Sequence, residues 1–174
     1  DLSFRMQQLC QAELASAGYV QYEVSAYARA GAQCVHNLNY WNFGDYLGVG
    51  AGAHGKLTHS ARGLITRTLR EREPRRYLAR GCRDLPATTA VASADRPFEF
   101  MMNALRLKRG FEQMQFEVCT GLDWQTVAPT MQRHAARGLL SREAERWQPT
   151  ELGMRFLNDV VAGFLRKTPE GSVV

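Results

Sequence analysis

Leu2, Met6, Leu9, Leu14 and Ala17 recur at roughly helical intervals, and Gly18 stands where a helix end often takes a left-handed residue. A helix over 3–17 is predicted. Val20, Tyr22, Val24 and Ala26 then alternate with Gln21, Glu23 and Ser25, the period of two that marks a strand. Helix, glycine, strand is the grammar of an α/β unit. Over 29–55 the pattern changes, with Gly31, Gly44, Gly48, Gly50, Gly52 and Gly55 breaking up an aromatic-rich stretch. A short helix near Val35–Phe43 and a buried, Gly-rich strand near Tyr46–Ala53 are expected. Glycine there lets backbone approach another backbone or a flat ligand. Leu64–Leu69 reads as a further strand, with Gly63 able to turn a hairpin into it.

Residues 71–92 are Arg-rich, contain Pro74 and Pro86, and are expected to hold a short helix and a loop. The chain beyond is mostly helical. Asp95 is a good N-cap residue and Pro97 fits a first turn. Phe98, Met101, Met102 and Leu105 follow at i, i+3, i+4 and i+7, an apolar face closed by Gly110. A short helix over Glu112–Cys119 ends at Gly121. Another runs to Arg137 and Gly138, with Met131 and Ala135 inward, His134 on the polar face, and Pro129 tolerable only in the first turn. Leu139-Leu140 and Arg146-Trp147-Gln148 flank a polar turn, a candidate hairpin. Thr150 then caps a last helix with Leu152, Phe156, Leu157, Val160 and Phe164 on one face, before a frayed tail over Lys167–Val174. The expected organisation is an α/β part over 1–70, a connector over 71–92 and a mainly helical, winged-helix-like part over 93–174.

The 174 residues are 45% hydrophobic and 22% charged, an ordinary globular balance with enough chain for a core that needs no metal or disulfide. No apolar run is long enough to span a membrane. The chain opens on Asp1 and runs straight into a helical pattern without a signal peptide, so a fragment of a longer protein is expected. Net charge is +5, and Lys occurs only at 56, 108 and 167, so the base is Arg. Arg62, Arg67, Arg70, Arg72, Arg75, Arg76, Arg80 and Arg83 cluster in one stretch. Guanidinium groups suit phosphates and carboxylates, though a solvated basic face would read the same. Cys10, Cys34, Cys82 and Cys119 are too scattered for a zinc site, which fits reduced thiols in a cytoplasmic protein.

The densest chemistry is Cys34-Val35-His36-Asn37-Leu38-Asn39-Tyr40-Trp41. On a helix, His36 and Tyr40 share one face at i, i+4, and Asn37 and Trp41 the adjacent one. That offers a metal-ligating imidazole, a hydroxyl, an amide and a large flat ring, a set suited to a planar aromatic ligand. A packed aromatic helix with turn-capping Asn residues is the plain alternative. The run Asp45–Gly55 offers G-x-G-x-G, but Lys56-Leu57-Thr58 after it reads as extended chain, not the helix that a dinucleotide loop requires. No nucleophile–base pair and no carboxylate pair stands out. The basic, winged-helix-like end raises DNA binding through Gln125, Gln132, Arg133 and Arg137 as a rival, although that helix lacks a dense basic stripe and nucleic acid is not the expected partner.

Three runs carry a resemblance: Tyr22–Arg29, His36-Asn37-Leu38-Asn39-Tyr40-Trp41 and Gly44–Gly55, with Arg96–Leu107 and Gly121-Leu122 supporting them. Together they resemble the HemW family of radical SAM haem chaperones, relatives of the oxygen-independent coproporphyrinogen III oxidases. The H-N-x-x-Y-W block is the specific part, and the likeness spans about residues 5–165. The family's [4Fe–4S] cluster sits on a C-x-x-x-C-x-x-C motif, which does not occur here. The resemblance therefore implies the C-terminal half of such a protein: the last piece of a partial (β/α) radical SAM barrel, then a helical domain.

It further implies haem bound through His36 as iron ligand, with Asn37, Tyr40 and Trp41 completing the motif. S-adenosylmethionine would contact Ala53-His54, and the [4Fe–4S] cluster would be held by residues outside this chain. The implied function is haem trafficking to acceptor proteins in the cytoplasm, and the Arg cluster over 62–83 could pair with haem propionates or with a membrane-associated acceptor. The implied alternative is oxidative decarboxylation of coproporphyrinogen III by radical SAM chemistry. Without upstream strands, an exposed barrel edge near 1–58 is expected either to pair with another copy, as a homo-oligomer, or to make the chain poorly soluble.

Overall fold

The computed structural model describes residues 2–81 and 85–166; Cys82, Arg83 and the tail from Lys167 lie outside the described residues. The chain begins with helix α1 (Leu2–Ser16), a two-residue hairpin β1 (Val20–Gln21) and β2 (Tyr27–Ala28), and helix α2 (Val35–Trp41). An antiparallel sheet follows in the order β3 (His54–His59), β4 (Leu64–Leu69), β5 (Ala87–Ala90), with helix α3 (Pro74–Arg80) between β4 and β5. Next come α4 (Arg96–Ala104), β6 (Phe111–Glu112), α5 (Gln113–Thr120), α6 (Ala128–Ala136), β7 (Leu140–Glu143) and β8 (Arg146–Pro149). Two short helices close the described chain, α7 (Glu151–Arg155) and α8 (Leu157–Ala162). The second three-stranded sheet runs β6-β8-β7, also antiparallel.

Several expectations hold in detail. The strand at Leu64–Leu69 follows Gly63, whose φ of 56° closes the preceding turn. Pro129 lies in the first turn of α6, Gly121 ends α5 at φ 69°, and the Thr150 hydroxyl accepts from the Gly153 N–H at the start of α7.

Others are corrected. The alternation at 20–26 does not make one strand. The Tyr22 N–H donates to the Ala26 carbonyl, and the Glu23 carboxylate accepts from the N–H and hydroxyl of Ser25, so local bonds fold the segment into a tight hairpin. The strand expected over Tyr46–Ala53 is a loop that touches the sheet at one bridge, Tyr46 to Lys56, and the strand proper starts at His54. Ala87–Ala90, inside the expected connector, is a third strand of that sheet. Asp95 makes no side-chain cap. Met102 points outward while Phe100 and Ala104 turn inward, shifting the buried face of α4 by one position. The last helix breaks at Phe156, which leaves Leu152 and Phe156 exposed. His134 is not on the polar face but buried, with Phe164 at 5.8 Å between ring centroids. Among the described strands every pairing is antiparallel, so the parallel repeat of a (β/α) barrel is not seen in this stretch.

One continuous core joins the two parts. Phe43 and Ile65 come from the first part and pack in the same cluster as Phe100, Phe111, Phe116 and Trp124. Phe100 sits at the centre, edge-on to Phe43, Phe111 and Phe116 at 5.0–5.6 Å. Edge-to-face aromatic packing fixes direction as well as burial, so the helical part is held in one orientation against the α2–β3 segment. Arg96 adds a polar tie: its guanidinium donates to the carbonyls of Gly63 and Thr120, one on each side.

Candidate functional site

Helix α2 is short because Phe43 ends it. That residue adopts φ 61°, a left-handed conformation costly for a bulky side chain. Burial holds it there, since its ring lies in the main core with the Lys56 ammonium 4.3 Å from the ring centroid. Asn42 and Phe43 donate backbone N–H groups to the carbonyls of Leu38 and Tyr40, which closes the helix end. The helix is thereby fixed at its C-terminal end and presents its side chains in two directions.

His36 and Tyr40 form the first direction. Their rings meet edge-to-face at 4.8 Å, and Tyr40 stacks at 4.1 Å against Tyr46 from the following loop. The Tyr46 hydroxyl accepts from Arg67 at 2.8 Å, and Arg67 is ion-paired with Glu99 of α4. Burial is the main cause that pushes the Tyr46 phenol above its usual pKa, against the Arg67 charge. His36 itself is exposed, and its ring nitrogens make no hydrogen bond among the described residues.

Asn37 and Trp41 take the other direction. The Asn37 amide donates to the Tyr22 hydroxyl at 3.4 Å. Trp41 packs on the small cluster of Tyr22, Ala28 and Leu107, with the Arg106 guanidinium 4.4 Å over its ring. Glu23, only 2% exposed, pairs with Arg106 at 3.4 Å. The H-N-x-x-Y-W block thus splits into an outward pair, His36 and Tyr40, and an anchoring pair, Asn37 and Trp41.

The Gly-rich loop is laid along β3. The Tyr46 and Lys56 backbones exchange hydrogen bonds at 2.9 Å each. Lys56 is 1% exposed and donates to Asp45 at 2.8 Å and to Thr58 at 3.0 Å. Burial raises the Asp45 pKa, but hydrogen bonds from Lys56 and Thr58 outweigh it and leave the carboxyl below its usual value. A Cβ on Gly48 would lie 2.4 Å from the His54 carbonyl oxygen, so that position admits no side chain. Ala53 uses both backbone groups internally, its N–H toward Gly50 and its carbonyl from Arg70. His54 is exposed. The connection between these two residues and the His36 face runs through Tyr46 and Lys56.

Sequence reasoning passed over Glu99, Arg106 and Glu23 as site residues, and met Tyr46 and Arg67 only as members of the Gly-rich stretch and of the Arg cluster. The ionic partners come from elements up to 83 positions away. The Arg stretch divides: Arg67 joins the site, whereas Arg70, Arg72 and Arg80 line a separate groove with Leu85. Cys10 and Cys34 are exposed, and Cys119 is half-buried with its thiol pushed upward by burial. Among the described residues no group of His, Cys, Asp and Glu could hold a metal ion, and no helix is long and apolar enough to cross a membrane.

The HemN C-terminal domain family matches residues 91–156. The chain is 46% identical over 152 residues to Heme chaperone HemW of Escherichia coli (strain K12), and 47% identical over 152 residues to the protein of the same name in Haemophilus influenzae. Each match covers 87% of this chain and 39% of the relative, so the chain spans well under half the length of these proteins. The solved structure of coproporphyrinogen III oxidase (HemN) from Escherichia coli, a radical SAM enzyme, matches with a TM-score of 0.61. It does so over 91% of this chain and 39% of that one, at 14% identity, which shows a shared fold. The chain belongs to the HemW family, carries its HemN C-terminal domain over residues 91–156 and corresponds to the C-terminal part of such a protein.

Proposed function

We propose that this chain holds haem as cargo on its His36 face and passes it to an acceptor protein. The observation that carries the reading is the His36 imidazole, exposed, free of hydrogen bonds among the described residues and braced by Tyr40 on Tyr46. An imidazole nitrogen is a common protein ligand for haem iron. Exposed apolar side chains occur close by in the sequence: Val35 precedes His36, Leu47 follows Tyr46, and with Val49 they are 79%, 76% and 82% exposed. Covering a flat apolar ring with such side chains contributes affinity by removing both from water. An open, one-sided site also suits a carrier, since an acceptor can approach the cargo from solvent. Asn37 and Trp41 contribute by holding α2, and Tyr40 by setting the imidazole direction.

In the intact protein, S-adenosylmethionine and a [4Fe–4S] cluster belong to the same proposal. The cluster needs cysteine ligands that this sequence does not contain. An S-adenosylmethionine contact falls at Ala53-His54 in this reading, where the Ala53 carbonyl accepts one hydrogen bond and keeps a second lone pair, and His54 is exposed. The exposed Arg62, Arg72, Arg75 and Arg76 are the candidates for pairing with haem propionates or with a membrane-associated acceptor. A cytoplasmic site of action and self-association through the 1–58 region are part of the reading. Leu2, Met6 and Leu9 of α1 are exposed there, and light scattering tests the association. We read α4-β6-α5-α6-β7-β8 as winged-helix-like, serving here as a brace for α2.

Haem titration of the intact protein tests the ligand. His36→Ala is expected to lose the parent Soret spectrum and to bind haem at least tenfold more weakly. An unchanged spectrum and affinity would remove His36 from the site.

A further inference from the structure

We infer that Tyr46 is a further positioning residue of the haem site, held by Arg67 of β4 and, through Arg67, by Glu99 of the helical part of the chain. The inference rests on the His36 reading above and adds residues outside the H-N-x-x-Y-W block. His36 and Tyr40 meet edge-to-face at 4.8 Å, so the Tyr40 ring bounds the directions open to the imidazole on that side. Tyr40 in turn lies 4.1 Å from Tyr46, close enough that neither ring turns without the other. Tyr46 is the fixed member. Its backbone is bonded twice to Lys56, and its hydroxyl accepts from Arg67 at 2.8 Å. Arg67 lies in the middle strand of the β3-β4-β5 sheet and is held by Glu99, the residue before Phe100 of the core.

The line Glu99, Arg67, Tyr46, Tyr40, His36 therefore connects the packed helical part to the exposed imidazole. Each step is a direct contact between side chains. The direction of an axial imidazole governs its overlap with iron orbitals, so a loosened Tyr46 should show in the metal's spectrum as well as in affinity. An aromatic pair contributes enough for its loss to weaken binding by about tenfold.

The experiment compares His36→Ala, Tyr46→Leu, Tyr46→Phe and Glu99→Gln in the intact protein. Haem affinity, the Soret band and the ferric electron paramagnetic resonance spectrum are read for each, with thermal melting as the control for folding. Tyr46→Leu should weaken haem binding by about tenfold and broaden or split the resonance signal. Tyr46→Phe, which keeps the ring and loses the acceptor for Arg67, should fall between Leu and the parent, as should Glu99→Gln. Melting alone cannot produce that graded spectral series. If Tyr46→Leu fails to fold, Tyr46→Phe and Glu99→Gln decide the matter by the same spectra. If His36→Ala binds as the parent does, the haem site is misplaced and the role of Tyr46 falls with it. If His36→Ala loses haem while folded Tyr46 and Glu99 variants keep the parent spectrum and affinity, the site stands and the positioning line is overturned.

Discussion

The Arg106 guanidinium lies 4.4 Å over the ring of Trp41, joining the last residue of the H-N-x-x-Y-W block to the end of α4. Glu23 from the β1–β2 hairpin completes the group, so three separate segments meet at one tryptophan. Trp41→Ala should cost about 2–4 kcal/mol by removing ring burial and the cation–π contact together. Trp41→Phe should recover most of this. Urea unfolding of the three proteins checks the order.

Lys56 and Asp45 behave differently from a surface pair because only one partner is buried. Asp45→Asn leaves the ammonium inside with a neutral acceptor and is expected to destabilise by about 1–3 kcal/mol, less than a fully buried pair because Asp45 itself is partly solvated. The Asp45 pKa is lowered in the folded state, so its stabilisation is present above the ordinary carboxyl pKa and disappears as pH falls through the folded value. Unfolding monitored from pH 5 to pH 2 should show a shallower acid loss in Asp45→Asn than in the parent.

His134 gives a second handle on acid sensitivity, nearer neutral pH. Burial first, then Arg133 and Arg137, lowers its pKa, and neither ring nitrogen has a hydrogen-bond partner among the described residues. The unfolded chain therefore takes up this proton before the folded one does, and stability falls as pH drops below about 6.5. His134→Leu should remove that part of the slope and raise stability at pH 5.5. Denaturant midpoints at pH 7.5 and 5.5 measure both effects.

Gly163 tests the packing of the same histidine. A Cβ there would stand 2.5 Å from the His134 Nε2, so Gly163→Ala should destabilise by about 1–3 kcal/mol. In a His134→Ala background the same change should cost much less, because the obstructing ring is gone. A double-mutant cycle of unfolding free energies reads the coupling directly.

The elements most legible in the sequence were those decided by neighbours along the chain. Leu64–Leu69, the ends at Gly63, Gly121 and Thr150, and the short helix through His36 follow from periodicity and local capping. The alternation at 20–26 misled because local side-chain bonds at Glu23 and Ser25 overrode a period of two. His134 misled because Phe164, just past α8, covers it, and helical spacing cannot say which distant residue will do so.

The i, i+4 geometry of an α-helix was enough, before any coordinates, to place the imidazole of residue 36 beside the phenol of residue 40. What faces outward and what anchors was decided only in three dimensions. Tyr22, Glu23 and Arg106 converge on Asn37 and Trp41, and Arg67 with Glu99 converges on Tyr46, through contacts between segments far apart in the chain. Such contacts depend on how whole elements pack, and packing is a property of the assembled core rather than of any short run of residues.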